Sequence, residues 1–571
     1  MAKFFLGLAA GVLLVFLGFI LLVALLVHSR AKAPEVASNS VLVLRLSDDV
    51  PEKAPVELPD FLGGVPAVTV SDVWQNLKKA ASDARVRAVV VEPSGLTAGF
   101  AKLEEVRADL AGFAASGKPV FAYLRNPNSR DYYVSLAARR IYLAPEAPLM
   151  LQGLRAELLY FKGALDKLGV SVEVEHAGKY KDFGDMFTRT SMSPETREVT
   201  TSVVDGVYGR IVDRIAAARK KSADDVRALI DTGPFTASQA LHAGLVDSLS
   251  FEDQMWGDLT KLTGQPSRLP FDKYVQATAD DAASSPRIAL VIGEGDIIQG
   301  SPRDNGTDET SLTAYGFNKL LRQVENDSTI KAVIVRIDSP GGEVGASDEI
   351  WRRMNLLSKK KPLVISMSDV AASGGYYMAL TGDPIVAYPD TETGSIGVVF
   401  GKPVIRGLLG KLGVNLDGVQ RGTNADIQSL DTPLTPQQQA KLRYGIDESY
   451  REFVSKVAAA RHRTYAEIEP VAEGRVWLGS QAKENGLVDV LGGLDAAVDT
   501  VKKRAGIPAS QSVSIVTYPP RRGLLEILLR RSADQDNILS ERLNPVFGRV
   551  PFHAWLDGGL LRITPNWIIL H

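Results

Sequence analysis

The chain has 571 residues, more than one hydrophobic core serves, so two or more domains of ordinary size are expected. Its 65 lysines and arginines nearly balance its 67 aspartates and glutamates, which argues against nucleic acid as a partner. The absence of cysteine rules out disulfides, thiol nucleophiles and thiolate ligands, and the six histidines lack any metal-binding spacing, so no metal or other cofactor is expected.

At the N-terminus, Phe4 to Val27 is an uncharged apolar run of 24 residues. As a helix it would be ~36 Å long, against a hydrocarbon core of ~30 Å. Residues 4–27 are therefore predicted to be a single transmembrane anchor in contact with membrane lipid. Ala31-Lys32-Ala33 resembles a signal-peptidase site, but the run exceeds the usual signal-peptide core and Pro34 follows directly, which favours an uncleaved helix. Lys3 on one side and Arg30 and Lys32 on the other barely orient it.

Beyond a linker near residues 30–38, the chain repeats itself. VRAVVVEPSG (86–95) lies over IKAVIVRIDS (330–339), and at the same shift of 244 residues DYYVSLAARRIYLAP (131–145) lies over GYYMALTGDPIVAYP (375–389). After a two-residue gap, ASQALHAGLVDSL (237–249) lies over GSQAKENGLVDVL (479–491). The period is too long for a solenoid, so this is a duplication of whole domains, 39–276 and 286–506. ATADDAASSPR (277–287) connects them, and 507–571 is a C-terminal extension. Within a copy, β-branched runs such as RIALVIG, KAVIVRID and PLVISMS read as buried strands, whereas GASDEIWRRMNLLSK and PQQQAKLRYGIDESYREFVSKVAAAR have helical spacing. That alternation predicts an α/β fold with a largely parallel sheet.

The two copies differ in complementary ways. In DVAASGGYYMAL (369–380), Ser373 precedes Gly374 and Gly375, whose counterparts are Arg130 and Asp131; IDSPGGEVG (337–345) faces PSGLTAGFA (93–101). In the other direction, HAGKYKDFGD (176–185) faces QRGTNADIQS (420–429), so Lys181 stands opposite Ala425. One copy keeps a serine among glycines and the other keeps a lysine, which predicts one composite site.

A serine hydroxyl needs a base, and an amine serves as one only when neutral, a state that burial favours. Glycine lets backbone N–H groups approach an oxyanion closely, so Gly374 and the Gly341-Gly342 pair are candidate donors. TGSIGV (393–398) offers Ser395, whose hydroxyl is placed to hold the lysine amine.

Taken together, the anchor, the duplicated module, DSPGG, ASGGYYMA, TGSIG and GKYKD resemble the long-form signal peptide peptidase A (protease IV) family across residues 40–505. That resemblance implies tandem domains with a fold like that of the crotonase and Clp protease superfamily. It also implies a serine endopeptidase that degrades cleaved signal peptides and similar apolar peptides. Carried onto these positions, Ser373 is the nucleophile, Lys181 the base and Ser395 its orienting residue, with Gly374 and Gly342 forming the oxyanion hole. The family works on the periplasmic side of the bacterial inner membrane as ring-like homo-oligomers, commonly tetramers for the long form.

Other readings stand beside this one. Ser373 alone would be a helix cap, Lys181 a solvated surface lysine and Ser395 a turn residue. Asp338 reads as a turn or capping residue, and His176, whose counterpart is Gln420, as structural. The same fold suits crotonase-like acyl-CoA chemistry, against which the anchor argues, and a catalytically inactive membrane scaffold is the non-enzymatic alternative. RRGLLEILLRR (521–531) reads as a helix packed on its own domain in preference to a membrane-surface helix.

Overall fold

A computed structural model describes residues 34–55, 67–278, 285–301 and 311–521, the backbone of 561–563 and 569–570, and the isolated positions Gly7, Gly11 and Gly18. The anchor expected over 4–27 lies otherwise outside the described residues, as do residues 302–310 and 522–531. Among the described residues no helix is long and apolar enough to cross a membrane.

In the first copy the strands are β1 (Ser40–Asp48), β2 (Val86–Leu96), β3 (Val120–Leu124), β4 (Arg140–Leu143), β5 (Ala156–Glu157), β6 (Ser171–Ala177), β7 (Ser248–Leu249) and β8 (Ser267–Pro270). All but β5 and β6 form one sheet, β7-β4-β3-β2-β1-β8, with every pairing parallel. The second copy contributes β9 (Arg287–Glu294), β10 (Asp296–Ile298), β11 (Ser311–Thr313), β12 (Ile330–Ser339), β13 (Gly341–Glu343) and β14 (Leu363–Ala372). It continues with β15 (Ile385–Ala387), β16 (Glu392–Gly394), β17 (Val398–Val404), β18 (Val476–Leu478), β19 (Val490–Leu491) and β20 (Ser514–Tyr518). Its main sheet runs β18-β16-β14-β12-β9-β20, with β15 beside β14 and β19. Only β16 and β18 pair antiparallel there.

β20 lies in the stretch read from the sequence as an extension. It joins the second sheet instead, parallel to β9, because SIVTY is a β-branched run able to cover an otherwise open edge.

The duplication is visible in the packing. The helix Phe100–Ala115 buries Leu103, Val106, Leu110 and Phe113 along one stripe, and the helix Val344–Ser358 buries Ser347, Ile350, Met354 and Leu357 at the same spacing, shifted by 244 residues. Each stripe lies on its own copy's hydrophobic core.

Two seams join the copies. In the first, β6 leaves the first copy and pairs antiparallel with β17, from Ser171 opposite Val404 to Ala177 opposite Val398. That pairing belongs to a third sheet, β11-β10-β13-β21-β17-β6, in which β21 is the C-terminal strand Leu561–Ile563. The second seam is polar and buried. Arg336, fully buried on β12, donates to Glu52 at 2.7 Å and Glu105 at 2.6 Å, both from the first copy. The Asp369 carboxylate accepts the backbone N–H groups of Gly99 and Lys102, each at 2.8 Å, and so caps a first-copy helix from the second copy. A Cβ on Gly99 would lie 2.4 Å from that carboxylate carbon, so a side chain there would push Asp369 off the helix end it caps.

Candidate active site

Ser373 stands between β14 and the short helix Gly374–Met378, with φ 53° and ψ −114°. A residue carrying a Cβ rarely adopts that conformation, and holding it costs roughly 1–3 kcal/mol. The surroundings enforce it: Ser373 N–H donates to the Gly394 carbonyl at 2.8 Å, and Tyr377 N–H donates to the Ser373 carbonyl at 2.8 Å. Neither following position admits a side chain. A Cβ on Gly374 would sit 2.6 Å from Ser347 Oγ, and one on Gly375 would sit 2.6 Å from the Ser339 carbonyl oxygen. The same construction places Gly341 Cα and Gly342 N each 3.1 Å from a Cβ on Gly374, so the glycines of the two loops meet beside Ser373.

Lys181 reaches this point through the β6–β17 register. Ala177 faces Val398, so the turn after β6 falls beside Ser395, just before β17. Gly178 makes the bend at φ 100°. Lys181 is 1% exposed; its Nζ lies 2.8 Å from Ser373 Oγ, 3.0 Å from Ser395 Oγ and 3.0 Å from the Ser395 carbonyl oxygen. Three neighbours suit an amine that directs two N–H groups at Ser395 and its lone pair at the Ser373 hydroxyl. Ser395 also has a positive φ, 49°, and its N–H donates to the Arg475 carbonyl at 2.7 Å.

The residues expected from the sequence, Ser373, Lys181, Ser395, Gly374 and Gly342, are thus brought together. His176 is not among them: it is exposed, with Nδ1 3.0 Å from the Gly178 carbonyl oxygen. The segment Glu473–Gly474–Arg475 joins the site with no motif to announce it. Its Glu473 carbonyl accepts Tyr180 N–H at 2.9 Å, and a Cβ on Gly474 would lie 2.6 Å from Lys181 Cβ. A lone glycine between two charged residues reads as an ordinary turn, so the sequence carries little signal for it.

Behind the site, Lys102 Nζ bonds Asp338 at 2.8 Å and lies 3.3 Å from Asp49, with Glu294 and Asp369 each at 4.0 Å. Burial pushes the Asp369 carboxyl up to about 7, against the pull of Lys102. Burial also raises Asp182, next to the lysine, although Thr196 donates to it. Asp338 accepts Val370 N–H at 3.0 Å, so it is a brace between β12 and β14.

The first copy closes the equivalent place. Asp131, the counterpart of Gly375, accepts the N–H groups of Gly95 and Leu96 at 3.0 Å each, so a carboxylate fills the loop that the second copy keeps lined with glycine.

Residues 112–265 and again 355–508 match Peptidase family S49. The chain is 32% identical over 505 residues to a chloroplastic serine protease SPPA of Arabidopsis thaliana, spanning 86% of this chain and 73% of that protein. It is 34% identical over 445 residues to Protease 4 of Salmonella typhi, spanning 75% of this chain and 70% of that protein. A solved ClpP1 variant from Listeria monocytogenes matches with 14% identity and a TM-score of 0.23, over 37% of this chain and 94% of that one. With the family matched twice along one polypeptide and relatives of that kind spanning most of it, the chain belongs to peptidase family S49, a family of serine peptidases.

Proposed function

We propose that the chain is a membrane-anchored serine endopeptidase working through a Ser373–Lys181 dyad. The neutral amine of Lys181 takes the Ser373 hydroxyl proton as Oγ attacks the peptide carbonyl carbon. The oxyanion that forms is held by the N–H groups of Gly374 and Gly342. The tetrahedral adduct collapses, Lys181 returns the proton to the departing amine, and an acyl-enzyme remains. Lys181 then takes a proton from water as the water oxygen attacks the acyl carbon, and returns that proton to Ser373 Oγ as the peptide acid departs. Ser395 keeps the amine aimed throughout.

The observation that carries this reading is the 2.8 Å approach of a buried lysine amine to a serine hydroxyl held at a strained backbone position. The backbone of β21 supports an extended substrate. It runs antiparallel to Gly341–Glu343 and also faces Val399 on β17, so the place beside the glycine loop takes an extended strand, and a substrate binding there replaces β21. Residues 4–27 anchor the chain in a bacterial inner membrane, with both copies on the periplasmic side and released signal peptides and similar apolar peptides as substrates.

Ser373→Ala and Lys181→Met should each lower kcat/KM on an apolar reporter peptide by about 10³-fold or more, with circular dichroism unchanged. A serine-directed phosphonate should label Ser373 in the parent and lose that reactivity in Lys181→Met. Hydrolysis retained by either variant would remove the dyad.

A further inference from the structure

One carboxylate near the glycine loop stands alone. Asp296 is the first residue of β10, the strand that flanks β13 on the side away from β21. It is partly buried, and among the described residues neither a hydrogen-bond donor nor an ion-pair partner reaches its side chain. Burial alone pushes its carboxyl up to about 6, with no neighbouring charge among the described residues to offset the effect. At neutral pH the group is therefore an unpaired anion, a state that a desolvated carboxylate holds at a cost and that an arriving cation relieves.

Strand register relates that anion to a peptide lying in the place of β21. Ile297 pairs with Gly342 and packs into the second copy's core with Leu312 and Phe317, so Asp296 and Ile298 on either side of it face away from that core. One step back along the same two parallel strands, Asp296 stands beside Gly341. Across the next pairing, Gly341 lies opposite backbone position 563 and Glu343 opposite position 561. A peptide residue at the first position thus shares a row with Gly341 and Asp296, and one at the second shares a row with Glu343 and Ile298. Gly341 puts no side chain into its row. The gap it leaves is two strand spacings, ~10 Å, which the long stem of a lysine or arginine crosses and a short side chain does not. The other row ends on an apolar wall: position 561 also faces Val399, which packs with Phe183, Met186 and Phe187. The carboxylate in that row, Glu343, is already engaged, accepting Gln299 N–H at 3.0 Å.

We propose that Asp296 is a specificity residue: it pairs with a lysine or arginine of the peptide that takes the place of β21, and so selects sequences in which a basic residue follows an apolar one two places later. The order comes from strand direction, because a peptide antiparallel to β13 meets Val399 first and Asp296 two residues on. An ion pair formed where the anion otherwise has no partner discriminates against an uncharged side chain of the same length. The assignment rests on the reading of the β21 place as the substrate site and is independent of the roles proposed for Ser373 and Lys181.

The test uses the full-length chain in detergent and three alanine-based reporter peptides that differ in one tripeptide: Leu-Ala-Lys, Leu-Ala-norleucine, which keeps the stem and loses the charge, and the reversed Lys-Ala-Leu. The Leu-Ala-Lys peptide should be cleaved with a kcat/KM about tenfold above either of the others, chiefly through KM. Asp296→Asn, with its fold checked by circular dichroism, should bring the lysine-to-norleucine ratio to about one, and Asp296→Glu should keep most of the preference. The Ser373→Ala chain, followed by fluorescence anisotropy, should bind the three peptides in the same order, and Asp296→Asn added to it should erase that order. Ordered binding by a chain whose parent hydrolyses none of the peptides would uphold Asp296 and remove the serine–lysine reading. Equal binding of the lysine and norleucine peptides, equal use of the reversed peptide, or a preference that survives Asp296→Asn would overturn the assignment.

Discussion

Two serines in this molecule occupy backbone angles that glycine would adopt more cheaply. Ser373 and Ser395 have φ values of 53° and 49°, and each is pinned by a backbone hydrogen bond from its own N–H. Side chains of the neighbouring glycines would collide with Ser347 Oγ and the Ser339 carbonyl, so the loop cannot relax by exchanging positions. The strain predicts an order of stabilities. Ser373→Gly and Ser373→Ala both delete the hydroxyl, but Ala keeps the unfavourable φ and Gly relieves it at some cost in chain entropy. The Gly variant should be the more stable by about 1 kcal/mol in urea unfolding. An Ala variant as stable as the Gly variant would show that the turn relaxes without cost.

The strands that bracket the site place groups that no local pattern reveals. β16 carries Glu392 two residues before the carbonyl that holds Ser373, and burial pushes its carboxyl up to about 7. The unfolded value is near 4.3, so between these limits the folded state binds the extra proton and stability declines as pH rises. Asp390, pushed up to about 6 by burial despite Arg210, changes stability in the same sense, so only a comparison with the parent isolates Glu392. Glu392→Gln should match the parent in urea midpoint near pH 4 and exceed it at pH 8. Parallel curves across that interval would place Glu392 in a solvated setting.

Duplication explains both the division of labour and its dependence on the seam. The first copy has its glycine loop filled by Asp131, yet it contributes Lys181 and a second lysine that braces the site from behind. Lys102 has Ala346 as its counterpart and bonds Asp338, directly before the Ser339–Gly342 turn. Burial alone would lower the Lys102 pKa, but Asp338, Asp369, Asp49 and Glu294 together hold it well above the ordinary lysine range. Lys102→Met should lower kcat by about 10²-fold through misplacement of the glycine and serine loops, with KM little changed, and Lys102→Arg should restore most of the loss. Equal kcat in a folded Lys102→Met chain would limit the first copy's contribution to Lys181.

The repeat, the α/β alternation and the positions of Ser373 and Lys181 were legible in the amino-acid order because duplication leaves an internal ruler: a residue present in one copy and absent from its counterpart stands out without any coordinates. The helix stripes and the continuous apolar strands were legible because periodicity is a local property. The clamp at Gly474, the Arg336 and Lys102 networks and the carboxylate in the first copy's loop were not. Each joins residues far apart in the chain, and such pairings exist only once β6 crosses to β17 and the two copies pack together. Burial then turns ordinary lysines and carboxylates into a buried site, a property of the packed whole that no stretch of sequence carries.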